Sequence, residues 1–567
     1  MRTAKPSSSA AAAAFVLLLG SYASCTAHAA EDKQSVEVLQ DTVINLLQAL
    51  VVKGVITKEQ ADAMVKQAQE KAQADLAAQQ ASQQAQQKKE EQEGVIAVPY
   101  VPEIVQQKIS KEVAKEVRPE VTKDVVQEAK KQGWGVPAAL PSWLDRVRVT
   151  GDLTLRAEED LYGHDNSLGC PPEFAYGNCT IFNYDAINAA GGISQAGVNA
   201  FLNVTQDRRR LRARARLGVE VAMTDSIQAG IRVASGSLQN PVSETQDLGN
   251  EFGRYTVGFD RIYLRWDGRT SHGFPFATAI GGKFADPFFA PTELVYGHDL
   301  EFDGGAMTGR LGIGDGSKDQ SYLWLTGGGF PVQEVPLVDK NDKWLLGAQA
   351  GASLRFGDDQ RLTLAGAYYD FVRMQALPNS CASTLNNYTA PLYMGYGNSV
   401  ALITSACDQT TQLFGLASNF RIADVSGQYV LPIGRFGFLM DADAARNLGF
   451  KRSQILSLEG EDIAPRINGY VGDVAFGDAE LRPDWHWQSW QWQIMLGYRY
   501  VQQDAVLAAL TDPDFHEGGT NTAGYFVRVD FGLADNVWTR LRYLSGKEID
   551  GPLYRVDVIQ LDLNAQF

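Results

Sequence analysis

Residues 208–224 read RRRLRARARLGVEVAMT. Leu211, Ala213, Ala215, Leu217, Val219 and Val221 take one set of alternate positions. Arg210, Arg212, Arg214, Arg216 and Glu220 take the other, with Gly218 interrupting. A period of two marks an extended strand, whose successive side chains leave opposite faces. A helix would spread the arginines around its circumference and bury some of them. A half-buried strand of a soluble sheet also alternates, so the solvent is decided by repetition. The same alternation recurs to the last residue, separated by tight turns and long loops in alternation. That pattern predicts a closed transmembrane antiparallel β-barrel, apolar outside and polar inside. One Arg on the lipid face at the midplane costs about 2–4 kcal/mol. Four in register therefore face the lumen.

The bulk values agree. The chain has 567 residues, 51 Lys+Arg against 67 Asp+Glu and a net charge of -16. Mean hydropathy is -0.20, too polar for a helical membrane protein but suited to a barrel diluted by lumen-facing residues. The acidic balance argues against nucleic acid as a partner. Residues 1–30 form a signal peptide. Arg2 and Lys5 begin it, Ala10 to Leu19 supply the apolar core, and Ala27-His28-Ala29 offers the cleavage site. Cys25 raises a lipoprotein reading, but the aliphatic residue expected three positions earlier is missing. The remaining cysteines form two close pairs, Cys170 with Cys179 and Cys381 with Cys407. Both fall in long polar loops of an exported chain, where disulfides persist. Neither pair has a CxxC partner, so no zinc site is expected.

Residues 31–143 differ from the rest. In 31–72, Val36, Leu39, Val43, Leu46, Leu47 and Leu50 follow helical spacing, and Thr57-Lys58-Glu59-Gln60 opens a second helix as a capping box. A Gln/Ala-rich linker spans 73–101. In 102–143, Val105, Ile109, Val113, Val117, Val121 and Val125 recur every four residues, with Pro119 as a kink. The sequence thus predicts an α-helical or coiled-coil periplasmic segment, read either as a solvated stalk or as a self-associating stripe.

The barrel is assigned to 144–567. Strand one places Val147, Val149, Gly151, Leu153 and Leu155 outward and Arg148, Thr150, Asp152, Thr154 and Arg156 inward. Turns are expected near Thr224-Asp225-Ser226, Asp267–Phe274, Asp315-Gly316, Asp358-Asp359, Pro432-Ile433-Gly434 and Asp535-Asn536. This counts to about sixteen strands, with fourteen or eighteen as alternatives. Both termini on one side put short turns in the periplasm and long loops outside. Ile559, Leu561, Leu563, Ala565 and Phe567 close the chain on one face. A terminal Phe on an alternating strand resembles the signal read by the outer-membrane insertion machinery.

Several stretches, in this order, resemble the putative-porin family of Gram-negative outer membranes: Val101-Pro102-Glu103, Trp134-Gly135-Val136-Pro137-Ala138-Ala139-Leu140-Pro141, Gly151-Asp152-Leu153, the arginine strand, Ile262-Tyr263-Leu264 and 294–303 (LVYGHDLEFD). The likeness covers essentially the whole mature chain. It implies a diffusion channel and carries no ligand with it.

For the pore itself, Arg148, Arg156, Arg210, Arg212, Arg214, Arg216, Arg232, Arg261 and Arg265 are expected to line the lumen. In sixteen-stranded porins the loop after strand five narrows the channel. Here that loop is read as Ala285 to Asp303, with Glu293, Asp299, Glu301 and Asp303. A basic wall facing an acidic loop makes a transverse field with a modest anion preference. In the bland reading the arginines pair with lumen carboxylates and brace the wall. No catalytic residue, cofactor or metal is expected: the histidines at 164, 272, 298, 486 and 516 lack ligand spacing, and no GxSxG occurs. Expected partners are outer-membrane lipid, the insertion machinery through the last strand, small polar solutes or anions, and, by analogy, two further copies in a homotrimer. The rival reading is a barrel-anchored tether or adhesin with a closed lumen.

Overall fold

Alternation becomes architecture most plainly in the arginine strand. Leu211 is 62 %, Leu217 49 % and Val219 39 % exposed on one face, while the arginine side chains between them are half-buried or more. In the absence of a membrane, exposed aliphatics are the lipid-facing side. The computed structural model describes residues 146–166, 181–314, 320–336, 341–357, 360–408, 411–460, 462–478 and 487–567. The signal peptide, both N-terminal helical readings, Trp134 to Trp143, Cys170, Cys179, His486 and the turns at 315–316 and 358–359 lie outside them. No helix among the described residues is long and apolar enough to cross a membrane.

Sixteen antiparallel strands close on themselves. They are β1 (Val147–Tyr162), β2 (Arg208–Ala222), β3 (Ile227–Ser235), β4 (Val257–Arg269), β5 (Pro275–Ala285), β6 (Glu301–Ile313), β7 (Ser321–Gln333) and β8 (Lys343–Phe356). The second half comprises β9 (Gln360–Val372), β10 (Phe420–Ile433), β11 (Phe436–Asn447), β12 (Asn468–Gly477), β13 (Trp492–Val501), β14 (Thr522–Ala534), β15 (Val537–Glu548) and β16 (Arg555–Gln566). Closure is made by β1 against β16, from Asp152↔Gln566 to Tyr162↔Val556. The last residue extends the seam, because Phe567 exchanges both backbone hydrogen bonds with Gly151 at 3.0 and 3.1 Å. Closure leaves no unpaired edge, which hydrocarbon would penalise heavily. The sixteen-strand reading holds. One end of the barrel carries the short turns and the ends of the first and last strands, the other the long loops.

β3 is shorter than β2, so the outer half of the arginine strand would lack a partner. Gln246–Asp247 supplies it, pairing with Ala213 and Arg212. The long loop after β9 is stapled by the Cys381–Cys407 disulfide, joining the two cysteines that the sequence paired.

Inside, one side of the barrel is filled. Phe288, Leu294, Val295 and Tyr296 of the 286–300 loop pack with Leu345, Tyr369, Phe371, Phe420 and Ile422 from the inner faces of β8–β10. Met394 and Leu416 of the 373–419 loop and Ala505, Val506 and Leu507 of the 502–521 loop complete the cluster. Each large apolar side chain buried this way contributes about 1.5–3 kcal/mol, so the inward fold of these loops is held by the hydrophobic effect. Two paired glycines permit the bend that delivers the first of them. Gly282 on β5 and Gly304 on β6 face each other with φ of +121° and +138°. A Cβ at either would lie 2.2 or 2.4 Å from a neighbouring strand's carbonyl oxygen, and L side chains rarely adopt such angles.

Candidate functional site: an arginine-walled lumen

The ladder arginines alternate inward on β2 because the strand period allows nothing else, and each meets carboxylates. Arg210 lies 2.5 Å from Glu158 and 2.8 Å from Asp160. Arg212 pairs with Glu158 at 3.2 Å and Asp247 at 2.7 Å. Arg214 reaches Asp152 at 3.4 Å and Asp299 at 3.2 Å. Arg216 holds Asp152 at 2.7 Å, with Glu244 and Asp299 both at 3.3 Å. On β3 and β4, Arg232 contacts Glu244, Asp260 and Glu301. Arg261 lies 2.8 Å from Glu301, and Arg265 3.0 Å from Asp267. Arg156 on β1 binds Asp562 of β16 at 2.8 Å and Asp514 at 3.0 Å. Arg148, near the short-turn end, is exposed.

The seven guanidiniums from Arg210 to Arg265 thus share ten carboxylates among the described residues: Asp152, Glu158, Asp160, Glu244, Asp247, Asp260, Asp267, Asp299, Glu301 and Glu517. Register explains most of this. Arg216 and Arg210 stand directly across from Asp152 and Glu158 of β1, and Arg212, opposite Arg156, reaches diagonally to Glu158, so acids on one strand answer bases on the next. Glu244, Asp260 and Glu301 bring oxygens within 4.8 Å of one another, but Arg232 lies among them and contacts all three. The group is an ion-pair knot. Burial, with Asp299 alongside, pushes the Glu244 carboxyl up from its ordinary value.

The 286–300 loop crosses the lumen and touches several walls. Gln349 of β8 clamps Phe289 through two hydrogen bonds, 2.7 and 2.8 Å. Thr292 donates its backbone N–H and its hydroxyl to Asp443 of β11. Arg499 of β13 donates to the Glu293 carbonyl at 3.1 Å. Asp299 then returns to Arg214 and Arg216 of β2. Of the four acids read into this loop, Glu293 and Asp299 lie in it. Glu301 and Asp303 belong to β6, which begins three residues earlier than the sequence suggested. Asp303 is exposed and paired with Lys283 at 3.0 Å.

A second acidic group went unread in the sequence. Asp424, Asp441, Asp443 and Asp473 lie buried on the inner faces of β10, β11 and β12, and Asp441 stands directly across from Asp473. In a sixteen-strand closure β10 is eight strands from β2, so these acids face the arginine ladder. Each belongs to an alternating strand, but isolated Asp residues give no run comparable to RRRLRARAR. Also missed was Arg499, 1 % exposed. It donates to Glu293, to Thr511 at 2.7 Å and to Gly519, tying two inward loops together with no ion pair among the described residues. Asp514 was missed as well. Burial opposes its ionisation, yet Arg156 and Arg542 hold its carboxyl well below the usual range.

What remains open follows the arginine side. A cavity of about 470 Å³ at the long-loop end is lined by Tyr184, Asn240, Tyr393, His516, Glu517 and Tyr554. It shares Asn240, Tyr393, Pro513 and Glu517 with one of about 270 Å³ lined by Glu158, Asp160, Arg210, Arg212 and Asp514. A third, of about 560 Å³, opens at the short-turn end beside Arg148, Asp152, Arg216, Arg232 and Arg261. The Arg214–Asp299 pair stands between the second and the third.

A family model described as a putative porin matches residues 40–567. The chain belongs to the putative-porin family. This makes it an outer-membrane channel protein, and family and fold together point away from an enzyme. Among solved structures, the barrel is similar to the high-pH structure of Pseudomonas putida OprB: 10 % identity, TM-score 0.41, 76 % of this chain and 97 % of that one. It is also similar to the DcaP channel of Acinetobacter baumannii, at 10 % identity, TM-score 0.37, and 74 % and 97 % coverage. The trimer form of Vibrio cholerae OmpT matches at 13 % identity, TM-score 0.36, and 75 % and 100 % coverage. No curated protein matches the chain. In this porin, Phe567 packs its ring where a Cβ on Gly151 would stand, so the final residue and the first strand are fitted to each other.

Proposed function

We propose that the chain forms a water-filled channel for passive diffusion of small polar solutes, with the conduit running along the arginine wall. The observation that carries this reading is the one-sided filling of the lumen. Apolar loops occupy the β5–β13 side, and the three cavities string along β1–β4 and β14–β16. The long loops face outside the cell and the short turns face the periplasm, with the N-terminal segment there too. Solutes pass the Arg214–Asp299 pair under a transverse field between the ladder and the acids of β10–β12.

Because ten carboxylates answer seven ladder arginines, the ladder carries no net positive charge and gives no anion preference of its own, and the channel's selectivity is sensitive to salt. The ladder's main work is to brace the wall and orient dipolar solutes. Assembly as a homotrimer, and recognition of the Phe567 strand by the insertion machinery, belong to the same reading. The rival, a tether with a closed lumen, draws on the three loops packed inside. Liposome swelling with small sugars and carboxylates decides between them. Swelling that falls off with solute size supports a channel, and none at any size leaves the tether.

A further inference from the structure

Cross-strand registers align the outward side chains of β9–β13 in rows. At the level nearest the long loops, Tyr368, Ala423, Arg446 and Asn468 stand side by side. One step down the row is Gly366, Val425, Ala444, Tyr470 and Tyr500, and the next is Leu364, Gly427, Ala442, Gly472 and Tyr498. A further step brings Tyr429 and Met440, whose bulk closes the row below. The middle of two consecutive rows therefore consists of glycines and alanines, walled by Val425 and Leu364 on one side and Tyr470 and Tyr498 on the other. All four wall residues are exposed, from 49 to 64 %. The result is an apolar groove of about 810 Å³ on the lipid-facing surface.

Arg446 crowns that groove. It points outward one residue from the end of β11 and is exposed. Among the described residues it has no ion pair, whereas the neighbouring outward Arg421 is matched by Asp370 at 3.4 Å. From Arg446 to Met440 is six residues, about 20 Å along the strand, much of the roughly 25 Å apolar band of such a barrel. A cation at one end and an apolar trough below it match a lipid that carries a phosphate above an acyl chain. Guanidinium groups bind phosphate through charge-assisted hydrogen bonds.

We propose that this face binds a phosphorylated lipid of the outer leaflet, its phosphate on Arg446 and one acyl chain over Ala444, Ala442, Gly427 and Gly472. The assignment to that leaflet rests on the orientation proposed above, with long loops outside. It does not depend on whether the lumen conducts.

Native mass spectrometry of the purified full-length protein in detergent tests it, with bisphosphorylated lipid A and its dephosphorylated form as probes. The wild type retains the phosphorylated lipid on the order of tenfold better than the dephosphorylated one, as a lost charge-assisted contact implies. Arg446→Glu loses that advantage, and Ala444→Phe, which fills the floor, loses retention of both. Should Ala444→Phe fail to assemble, as judged by heat-modifiable mobility, Ala442→Leu takes its place. Equal retention of the two lipids, or undiminished retention in both variants, overturns the proposal. So does a wild-type oligomer that falls apart in Ala444→Phe with lipid retention unchanged, because the occupant is then a second copy. Conductance is recorded on the same samples, and a silent channel that still retains lipid refutes the diffusion reading alone.

Discussion

Replacing Asp299 by Asn is the sharpest perturbation of the conduit. The side chain bridges Arg214 and Arg216, between the cavity beside Arg212 and the one beside Arg216, and Asn keeps its size. Arg214 and Arg216 still hold Asp152, at 3.4 and 2.7 Å, so the wall keeps its braces while the narrow section gains one net positive charge. A monovalent ion passing at about 6 Å in water feels about 0.7 kcal/mol from a unit charge. Screening at ~0.1 M salt, with a Debye length near 10 Å, lowers this to about 0.4 kcal/mol. That is about a twofold gain for anions and a twofold loss for cations, hence a permeability ratio shifted about fourfold toward anions. Lower salt enlarges the shift. Reversal potentials across planar bilayers under a KCl gradient measure it, with the exposed Asp303→Asn as a control that leaves the ratio unchanged. An Asp299→Asn channel with wild-type selectivity at low salt would mean that ions do not pass the ladder, and the proposed conduit would be wrong.

Other consequences follow from single contacts. Arg499→Met removes donors to Glu293, Thr511 and Gly519; each buried acceptor left unsatisfied costs about 1–3 kcal/mol, so both inward loops loosen and single-channel noise rises while the barrel still forms. Unchanged noise would show that apolar packing alone holds them. Gly304→Ala forces a side chain into φ +138° and against the Gly329 carbonyl, and the yield of heat-modifiable barrel falls sharply; a normal yield would refute the close approach. Two buried groups of the 502–521 loop respond to pH in opposite directions across the same window and offset each other in the wild type. Burial lowers His516 from 6.5 to about 4, so its contribution is complete above the ordinary value and is lost as pH falls toward 4. Burial raises Asp504 from 3.8 to about 6, despite two hydrogen bonds from Ser399, so its contribution is lost as pH rises through that window. Protease nicking of the loop across pH 4–7 reads both: His516→Gln protects the acid side and Asp504→Asn the neutral side, and identical profiles for all three chains contradict the assignment.

How much of this could be read beforehand depends on the range of the interactions involved. Facing is local: once Leu211 and Leu217 must meet hydrocarbon, Arg212 and Arg214 have nowhere to go but inward, and the strand count follows from turns and loops along the chain. The disulfide between Cys381 and Cys407 was likewise readable from proximity in sequence. Contents of the lumen are not local. Arg499 looks like any inward polar residue of β13 until the 286–300 and 502–521 loops arrive at it from 206 and 12 residues away. Asp441 and Asp473 acquire meaning only when register sets them opposite each other. The ladder shows the limit from the other side. Its arginines stand out as a basic wall because the sequence displays most of them in one run, whereas the reading in which lumen carboxylates pair with them has no such run to show. The acids that answer them are scattered over β1, β4, β6 and three loops. Charge arrayed along one strand is visible as pattern, whereas the charge that compensates it is distributed by topology. Selectivity in a barrel of this kind is therefore a property of the closed cylinder, and a sequence run reports only one side of it.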